Sequence, residues 1–139
     1  MRDRDDDGRA RQARPRDELG RPLPYGAIGV EPVSEEPRPP TETIAFAREL
    51  LAAGRPFSAH EIYEVRWKTC PPGERDLWQA LAQLCVAITH SRRGNDTGAR
   101  RLLERASSQL ADYASGDGPR YGLDLDAEVA QARAAVEAA

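Results

Sequence analysis

The sequence predicts an all-α protein, a compact bundle of about five helices preceded by an extended, partly disordered N-terminal arm. Apolar residues recur at intervals of three and four through most of the chain after Thr41, which is the period of one face of an α-helix. Glycine or proline separates the successive apolar runs, and no segment alternates polar and apolar residues convincingly as a strand would. Since the chain has 139 residues, a single domain can hold all of these helices.

The N-terminal arm, residues 1–40, differs in composition from the helical domain, residues 41–139. Twelve of the first eighteen residues are charged, and seven of the eleven prolines lie between Pro15 and Pro40. We expect residues 1–18 to be disordered, because they cannot bury enough apolar surface to offset the entropy cost of ordering. Residues 19–33 carry spaced apolar side chains, which suits either an extended segment lying over the bundle or a free tail.

The first two helices are delimited by capping residues and helix breakers. The first is expected to start after Thr41 as its N-cap and to end at Gly54. The second is expected to start after Ser58, which forms a capping-box pattern with Glu61. It stops near Thr69, ahead of two consecutive prolines.

The remaining three helices follow the same logic. The third runs from about Glu74 to Arg93 and is apolar on nearly every side, which predicts a buried central helix. Gly94 is expected to end it, and either Asn95 or Asp96 to cap the fourth helix. The fifth helix is alanine-rich and follows Asp124.

Composition limits the classes of function that the chain can serve. A net charge of -3 argues against a generally basic nucleic-acid binder. The longest uncharged stretch, Leu77 to Ser91, is shorter than the roughly 20 apolar residues of a membrane span. The first twenty residues contain no apolar run typical of a secretory signal, and Cys70 and Cys85 cannot form a disulfide framework. We therefore expect a cytoplasmic protein, with a homodimer among its alternatives for assembly.

The second helix carries the best candidate for chemistry. His60, Glu64 and Trp67 are spaced i, i+4, i+7 and therefore lie on one face. If Ser58 is the N-cap, His60 occupies the second helical position, where the helix dipole favours neutral imidazole. Neutral imidazole is the form that ligates a metal or accepts a proton. Glu61 is left out of the candidate site, because the capping box already explains it.

The third helix adds polar groups to the candidate site. Gln79, Gln83 and His90 form one stripe on an otherwise apolar helix, and buried polar groups of this kind need partners. We expect one divalent metal ion bound by His60, Glu64 and His90. The residues expected to line this site are Trp67, Gln83, Arg93, Asn95 and Asp96.

Two alternatives stay open. The histidine, glutamate and glutamine side chains can form a structural polar network in a non-enzymatic binding or assembly module. A weaker alternative is an anion or nucleic-acid site formed by Arg92, Arg93, Arg100 and Arg101. Because 19 of the 20 basic residues are arginine, a cluster of arginines is weak evidence for such a site.

Three segments resemble, in order, motifs of the uncharacterised bacterial and archaeal family called domain of unknown function 309: Phe57–Lys68, Gln83–His90 and Arg93–Ala99. The signature of this family, H-x3-E-x2-W/Y, is matched by His60, Glu64 and Trp67. The resemblance covers about residues 43–113 and implies a compact all-helical fold with a metal site at the signature. For an enzyme of this kind, the reaction we expect is metal-assisted hydrolysis, in which the ion polarises water.

Overall fold

The computed structural model describes residues 3–4, 10–11, 15–23 and 29–138 of the chain. Five helices account for the domain after the arm, so the predicted all-α fold is confirmed. Their bounds are α1 Pro40–Ala52, α2 Pro56–Thr69, α3 Arg75–Arg92, α4 Asp96–Ala114 and α5 Leu125–Glu137. A single 3-10 turn, Pro72–Glu74, joins α2 to α3.

The arm contains one short pairing of strands, β1 (Asp3–Arg4) with β2 (Ala10–Arg11). The two strands are antiparallel, with Asp3 opposite Arg11. A pairing of two residues is too short to leave an alternating strand pattern in the sequence. Residues 1–2, 5–9 and 12–14 of the segment expected to be disordered lie outside the described residues.

Helix α3 is the buried centre of the bundle, as its sequence predicts. It packs against α2, α4 and α5, while α1 packs against α2. The side chains of Leu77, Trp78 and Ala87 are completely shielded from solvent. A helix that is apolar on nearly every side is stable only when other helices cover those sides, and three helices do so here.

Several predicted helix ends are present in the structure. Gly54 and Gly94 follow α1 and α3 with φ of 75° and 85°, a left-handed conformation that glycine adopts without steric cost. The side chains of Asn95 and Asp124 each accept a hydrogen bond from a backbone N–H in the first turn of the helix that follows. These caps satisfy donors that the helix itself leaves free.

The predicted starts of α1 and α2 are wrong. α1 begins at Pro40, so Thr41 is not its N-cap. α2 begins at Pro56, which places Ser58 inside the first turn rather than before it. Proline is favoured at the first position of a helix, since the N–H that it lacks would have no partner there. The capping box therefore does not form, and Glu61 is not a capping residue.

The described part of the arm contacts the helical domain. Residues 15–23 form a turn, in which the Asp17 carboxylate accepts hydrogen bonds from the N–H groups of Leu19 (3.0 Å) and Arg21 (2.9 Å). Leu19 is only 7% exposed, and its carbonyl accepts a hydrogen bond from Arg93. The sequence predicts disorder through residue 18, but these contacts hold residues 15–18 in the turn.

Further contacts lay the arm against the start of α2. The backbone of Gly20 packs on the ring of Phe57, and the carbonyl of Glu31 accepts a hydrogen bond of 2.6 Å from Arg55. Val33 packs against the hydrophobic core of the bundle. The sequence leaves open whether the arm is a free tail or an extended segment over the bundle. The described residues of the arm lie over the bundle.

Replacing Gly20 by alanine tests this contact. Gly20 has φ of 75°, and an added Cβ would overlap the ring of Phe57. We expect Gly20→Ala to release residues 15–23 from α2, seen as faster hydrogen exchange at the amides of Gly20 and Leu23, while the helices keep their protection. The control is Gly73→Ala, whose Cβ would meet no atom within 4 Å. Unchanged exchange at Gly20 and Leu23 in the first variant would contradict the docked arm.

A buried carboxylate joins three parts of the bundle. Glu74 is 6% exposed, and its Oε1 accepts hydrogen bonds from the Trp78 indole (3.1 Å), the Tyr121 hydroxyl (2.9 Å) and the Arg66 guanidinium (3.1 Å). The rings of Trp78 and Tyr121 stack, with 5.8 Å between their centroids. Burial by itself favours the protonated carboxyl, but the hydrogen bonds outweigh it and hold the pKa of Glu74 below its usual value.

We expect Glu74→Gln to lower the free energy of unfolding at pH 7 by about 3 kcal/mol, because three donors lose a charged acceptor. A carboxyl whose pKa is lower in the folded state contributes stability above its unfolded pKa of about 4.3 and loses it as the pH falls through the folded pKa. The difference between wild type and variant should therefore shrink below about pH 4. Urea unfolding of both proteins at pH 7 and from pH 5 to 3 measures this difference in free energy of unfolding. A difference that does not change with pH would contradict a lowered pKa for Glu74.

Candidate functional site

Helix α2 presents His60 and Glu64 on one face, one turn apart, as their spacing predicts. His60 Nε2 lies 3.0 Å from Glu64 Oε2, and the two side chains are 15% and 40% exposed. One turn further on, Lys68 Nζ lies 3.2 Å from the other carboxylate oxygen, Oε1. The carboxylate of Glu64 is therefore held between an imidazole and an ammonium group.

Both ring nitrogens of His60 face oxygen acceptors. Nδ1 lies 2.7 Å from the backbone carbonyl oxygen of Phe57, and Nε2 faces the carboxylate of Glu64. A neutral imidazole has only one N–H, so it can donate to one of the two oxygens. The second contact is favourable only when a proton or another cation lies between the ring nitrogen and the oxygen. The geometry thus favours a positive species at the edge of this ring.

An open cavity of about 370 Å³ lies against this face of α2. The arm forms one wall, and the helix forms the other. The lining residues are Val33, Ser34, Glu35, His60, Glu61, Glu64, Val65, Lys68 and Thr69. The lining therefore includes three carboxylates, one imidazole and one ammonium group. We call this space the His–Glu cavity.

Glu61 belongs to the lining of the His–Glu cavity, although the capping-box interpretation excluded it. It is half-buried, and that burial raises the pKa of its carboxyl, opposed chiefly by the charge of neighbouring His60. The proline at position 56 was the signal that could have identified it. Because proline favours the first helical position, Pro56 moves the helix start forward and frees Glu61 from capping.

His90 lies at the C-terminal end of α3 and is not among the residues that line the His–Glu cavity. Its Nδ1 is 3.4 Å from the side-chain nitrogen of Asn95. Within the described part of the chain, no group of three or more His, Cys, Asp or Glu side chains is arranged to hold a metal ion. The structure brings His60 and Glu64 together, and it does not bring His90 into their cavity.

The glutamines of α3 also lie outside the His–Glu cavity. The side chain of Gln79 accepts a hydrogen bond of 2.9 Å from Gln109 of α4. Gln83 is half-buried, and among the described residues its Oε1 has no hydrogen-bond partner. Gln79 thus ties α3 to α4, which is a structural role.

The other predicted lining residues have contacts of their own. Trp67 packs against the hydrophobic core, and the guanidinium of Arg75 lies 5.0 Å from its ring centroid. Arg93 contacts the arm and lies 5.9 Å from the ring centroid of Phe57. Asp96 is exposed in the first turn of α4. None of these three side chains lines the His–Glu cavity.

The arginines of the weaker alternative lie on the outside of the bundle. Arg100 and Arg101 are exposed in the first half of α4. On the same helix, Glu104 forms an ion pair of 2.9 Å with Arg133 of α5. This surface therefore carries mixed charge, and an anion site there stays a prediction.

Fold and site together define a small helical protein in which one helix presents a His–Glu pair to an open cavity. Residues 44–102 match the family described as domain of unknown function (DUF309). The resemblance inferred from the motifs is therefore confirmed over these residues, which include His60, Glu64 and Trp67.

One relative is the "Uncharacterized protein YpuF" of Bacillus subtilis (strain 168), 42% identical over 65 residues. The matched region makes up 46% of the present chain and 37% of that relative, so it spans little more than a third of the relative's length. No solved structure matches the chain. Across the described residues, every helix is too short or too polar to cross a membrane.

The partial exposure of Glu64 predicts a smaller loss of stability on its replacement than a buried structural network would give. In metal-free protein we expect Glu64→Gln to change the free energy of unfolding by less than about 1 kcal/mol, since partly exposed ion pairs contribute little. Urea unfolding of Glu64→Gln beside Glu74→Gln compares a partly exposed carboxylate with a buried one. A cost of about 1–3 kcal/mol for Glu64→Gln would instead favour the structural network.

Proposed function

We propose that the His60–Glu64 pair is a divalent-metal site. The observation that carries the proposal is the 3.0 Å distance between Nε2 of His60 and Oε2 of Glu64, two atoms that can each ligate a metal ion. Metal ions such as zinc bind imidazole nitrogen and carboxylate oxygen at about 2.0–2.2 Å. Two donors 3.0 Å apart are close enough to share one ion at those distances.

The surroundings of the pair support this assignment. The Phe57 carbonyl, 2.7 Å from Nδ1, is a suitable acceptor for an Nδ1–H. That tautomer leaves the lone pair on Nε2, and metal-binding histidines commonly donate their other N–H to a carbonyl in this way. Lys68 pairs with Oε1 of Glu64, and Oε2 lies on the side of the imidazole.

The His–Glu cavity supplies further support. Glu35 and Glu61 line it beside the pair, and their carboxylates add to the attraction for a cation. The geometry favours a site based on His60 and Glu64 over one that also includes His90, because His90 does not line this cavity. The remaining positions around an ion would be available to water or to a ligand.

Metal-assisted hydrolysis is the reaction class that we propose for this site. A divalent ion supplies Lewis acidity, which polarises an oxygen-containing substrate or water. The chain's own part is to hold Nε2 and Oε2 in place through Phe57 and Lys68, and to leave an open cavity beside them.

A second candidate is a non-enzymatic binding or assembly module, in which His60 and Glu64 form an ion pair. The observation in its favour is that 3.0 Å is also an ordinary N–H···O distance, which a protonated imidazole would give without metal. Under this proposal the His–Glu cavity is a docking surface rather than a reaction site.

Metal content separates the two candidates. We expect the untagged protein, equilibrated with zinc or manganese and then desalted, to carry close to one ion per chain by elemental mass spectrometry. The double variant His60→Ala/Glu64→Gln should lose that ion while keeping its helical circular dichroism. The matched control is His90→Ala, which removes the chain's other histidine outside the cavity and should keep the ion.

Each other outcome has a defined meaning. Loss of the ion in His90→Ala as well would favour the site with three protein ligands. No ion in the wild type under any loading condition would rule out the metal proposal and favour the ion pair.

A further inference from the structure

A second cavity, of about 150 Å³, lies on the other side of α2, between α1, α3 and α5. Its walls are mainly apolar and come from Leu51, Leu81, Leu84, Ile88 and Ala132. None of its lining residues also lines the His–Glu cavity. We call it the Tyr63 cavity, after the aromatic side chain that α2 contributes to it.

The hydroxyl of Tyr63 is the unusual feature of this cavity. Tyr63 is only 2% exposed and lines the cavity, and its hydroxyl makes no hydrogen bond with any of the described residues. Burial raises the pKa of Tyr63 far above its usual value, so the hydroxyl stays protonated and able to donate. Since polar groups in protein interiors nearly always have a hydrogen-bond partner, this hydroxyl is available to a polar atom that enters the cavity.

The rim supplies a cation. The Glu128 side chain, 12% exposed, also lines the cavity, and its carboxylate is already paired with Arg48 at 2.9 Å. Arg92 lines the cavity at its exposed end and forms no ion pair with any of the described residues. The available charge at the mouth of the cavity is therefore positive and suits an anionic group on the ligand.

Size and spacing narrow the class of ligand. An apolar cavity of about 150 Å³ accepts a molecule the size of benzene. Arg92 lies seven residues beyond Cys85, which also lines the cavity, and seven residues of α-helix rise by roughly 10 Å. That length of α3 leaves room for one ring with a polar atom at one end and, at the other, a carboxylate within reach of the flexible Arg92 side chain.

We propose that the Tyr63 cavity binds a small aromatic carboxylate that carries a polar atom opposite the carboxylate. The ring packs against Leu81, Leu84 and Ile88, the polar atom hydrogen-bonds the hydroxyl of Tyr63, and the carboxylate pairs with Arg92. This site is separate from the proposed metal site and does not depend on it.

The test uses three probes and the backbone amide NMR spectrum of the full chain. 4-Hydroxybenzoate has both polar ends, benzoate lacks the hydroxyl, and 4-hydroxybenzyl alcohol lacks the carboxylate. We expect saturable shifts around Leu81–Ile88 and Ala132 with 4-hydroxybenzoate, and weaker binding of the other two. The absence of saturable shifts with any probe up to about 10 mM, a very weak affinity, would overturn the proposal.

Two conservative variants assign the roles of the polar groups. Tyr63→Phe keeps the ring and should weaken 4-hydroxybenzoate about tenfold while leaving benzoate unchanged. Arg92→Gln should weaken both carboxylates about tenfold, whereas Arg101→Gln, an exposed arginine on α4, should weaken neither. The assignment of Tyr63 would be overturned if Tyr63→Phe weakened 4-hydroxybenzoate and benzoate equally. The assignment of Arg92 would be overturned if Arg101→Gln weakened the two carboxylates as much as Arg92→Gln does.

A third variant tests the location. Ala135 is half-buried and lines the cavity, so Ala135→Leu should fill the space without disturbing the core. We expect it to abolish the shifts caused by 4-hydroxybenzoate. Undiminished binding, or shifts that map to the His–Glu cavity instead, would overturn the proposal.

Discussion

The carboxylate of Glu74 is the interaction on which the arrangement of the bundle depends most. It accepts hydrogen bonds from α2 through Arg66, from α3 through Trp78, and from the segment before α5 through Tyr121. These three parts of the chain are otherwise joined mainly by apolar packing, which attracts without direction. A buried charge with three donors specifies one relative position of the three parts, because any other position would leave the charge without partners.

Helix α2, which this anchor ties to α3, has cavities on two sides. On one side it presents His60 and Glu64 to the His–Glu cavity, and on the other it contributes Tyr63 to the Tyr63 cavity. The ring of Tyr63 also lies 6.2 Å from that of Trp78, so the aromatic contact and the Glu74 network act on the same helix. The arm completes the His–Glu cavity, since Val33, Ser34 and Glu35 form its second wall. Without the arm, the His–Glu pair would lie on an open helix surface.

Much of the fold could be predicted from local pattern alone. The buried position of α3 follows from an apolar run on nearly all sides, and the ends at Gly54 and Gly94 follow from the left-handed conformation that glycine tolerates. The sequence pattern predicts the wrong start for α2, because a serine followed three residues later by a glutamate imitates a capping box. Pro56 overrides that pattern, so Glu61 is free to line the candidate site. Local signals can compete, and here the proline at the first helical position prevails over the capping-box pattern.

The sequence by itself determined the order of the helices and the placement of His60 and Glu64 on one face of α2, because helical spacing relates residues that are close in the chain. The tertiary structure alone decided that His90 stays outside their cavity and that the arm forms one wall of it. It also decided that Glu74 is buried among three donors and that Tyr63 lines a mainly apolar cavity. These features join residues far apart in the chain, and their positions follow from how whole helices pack rather than from any repeat in the sequence.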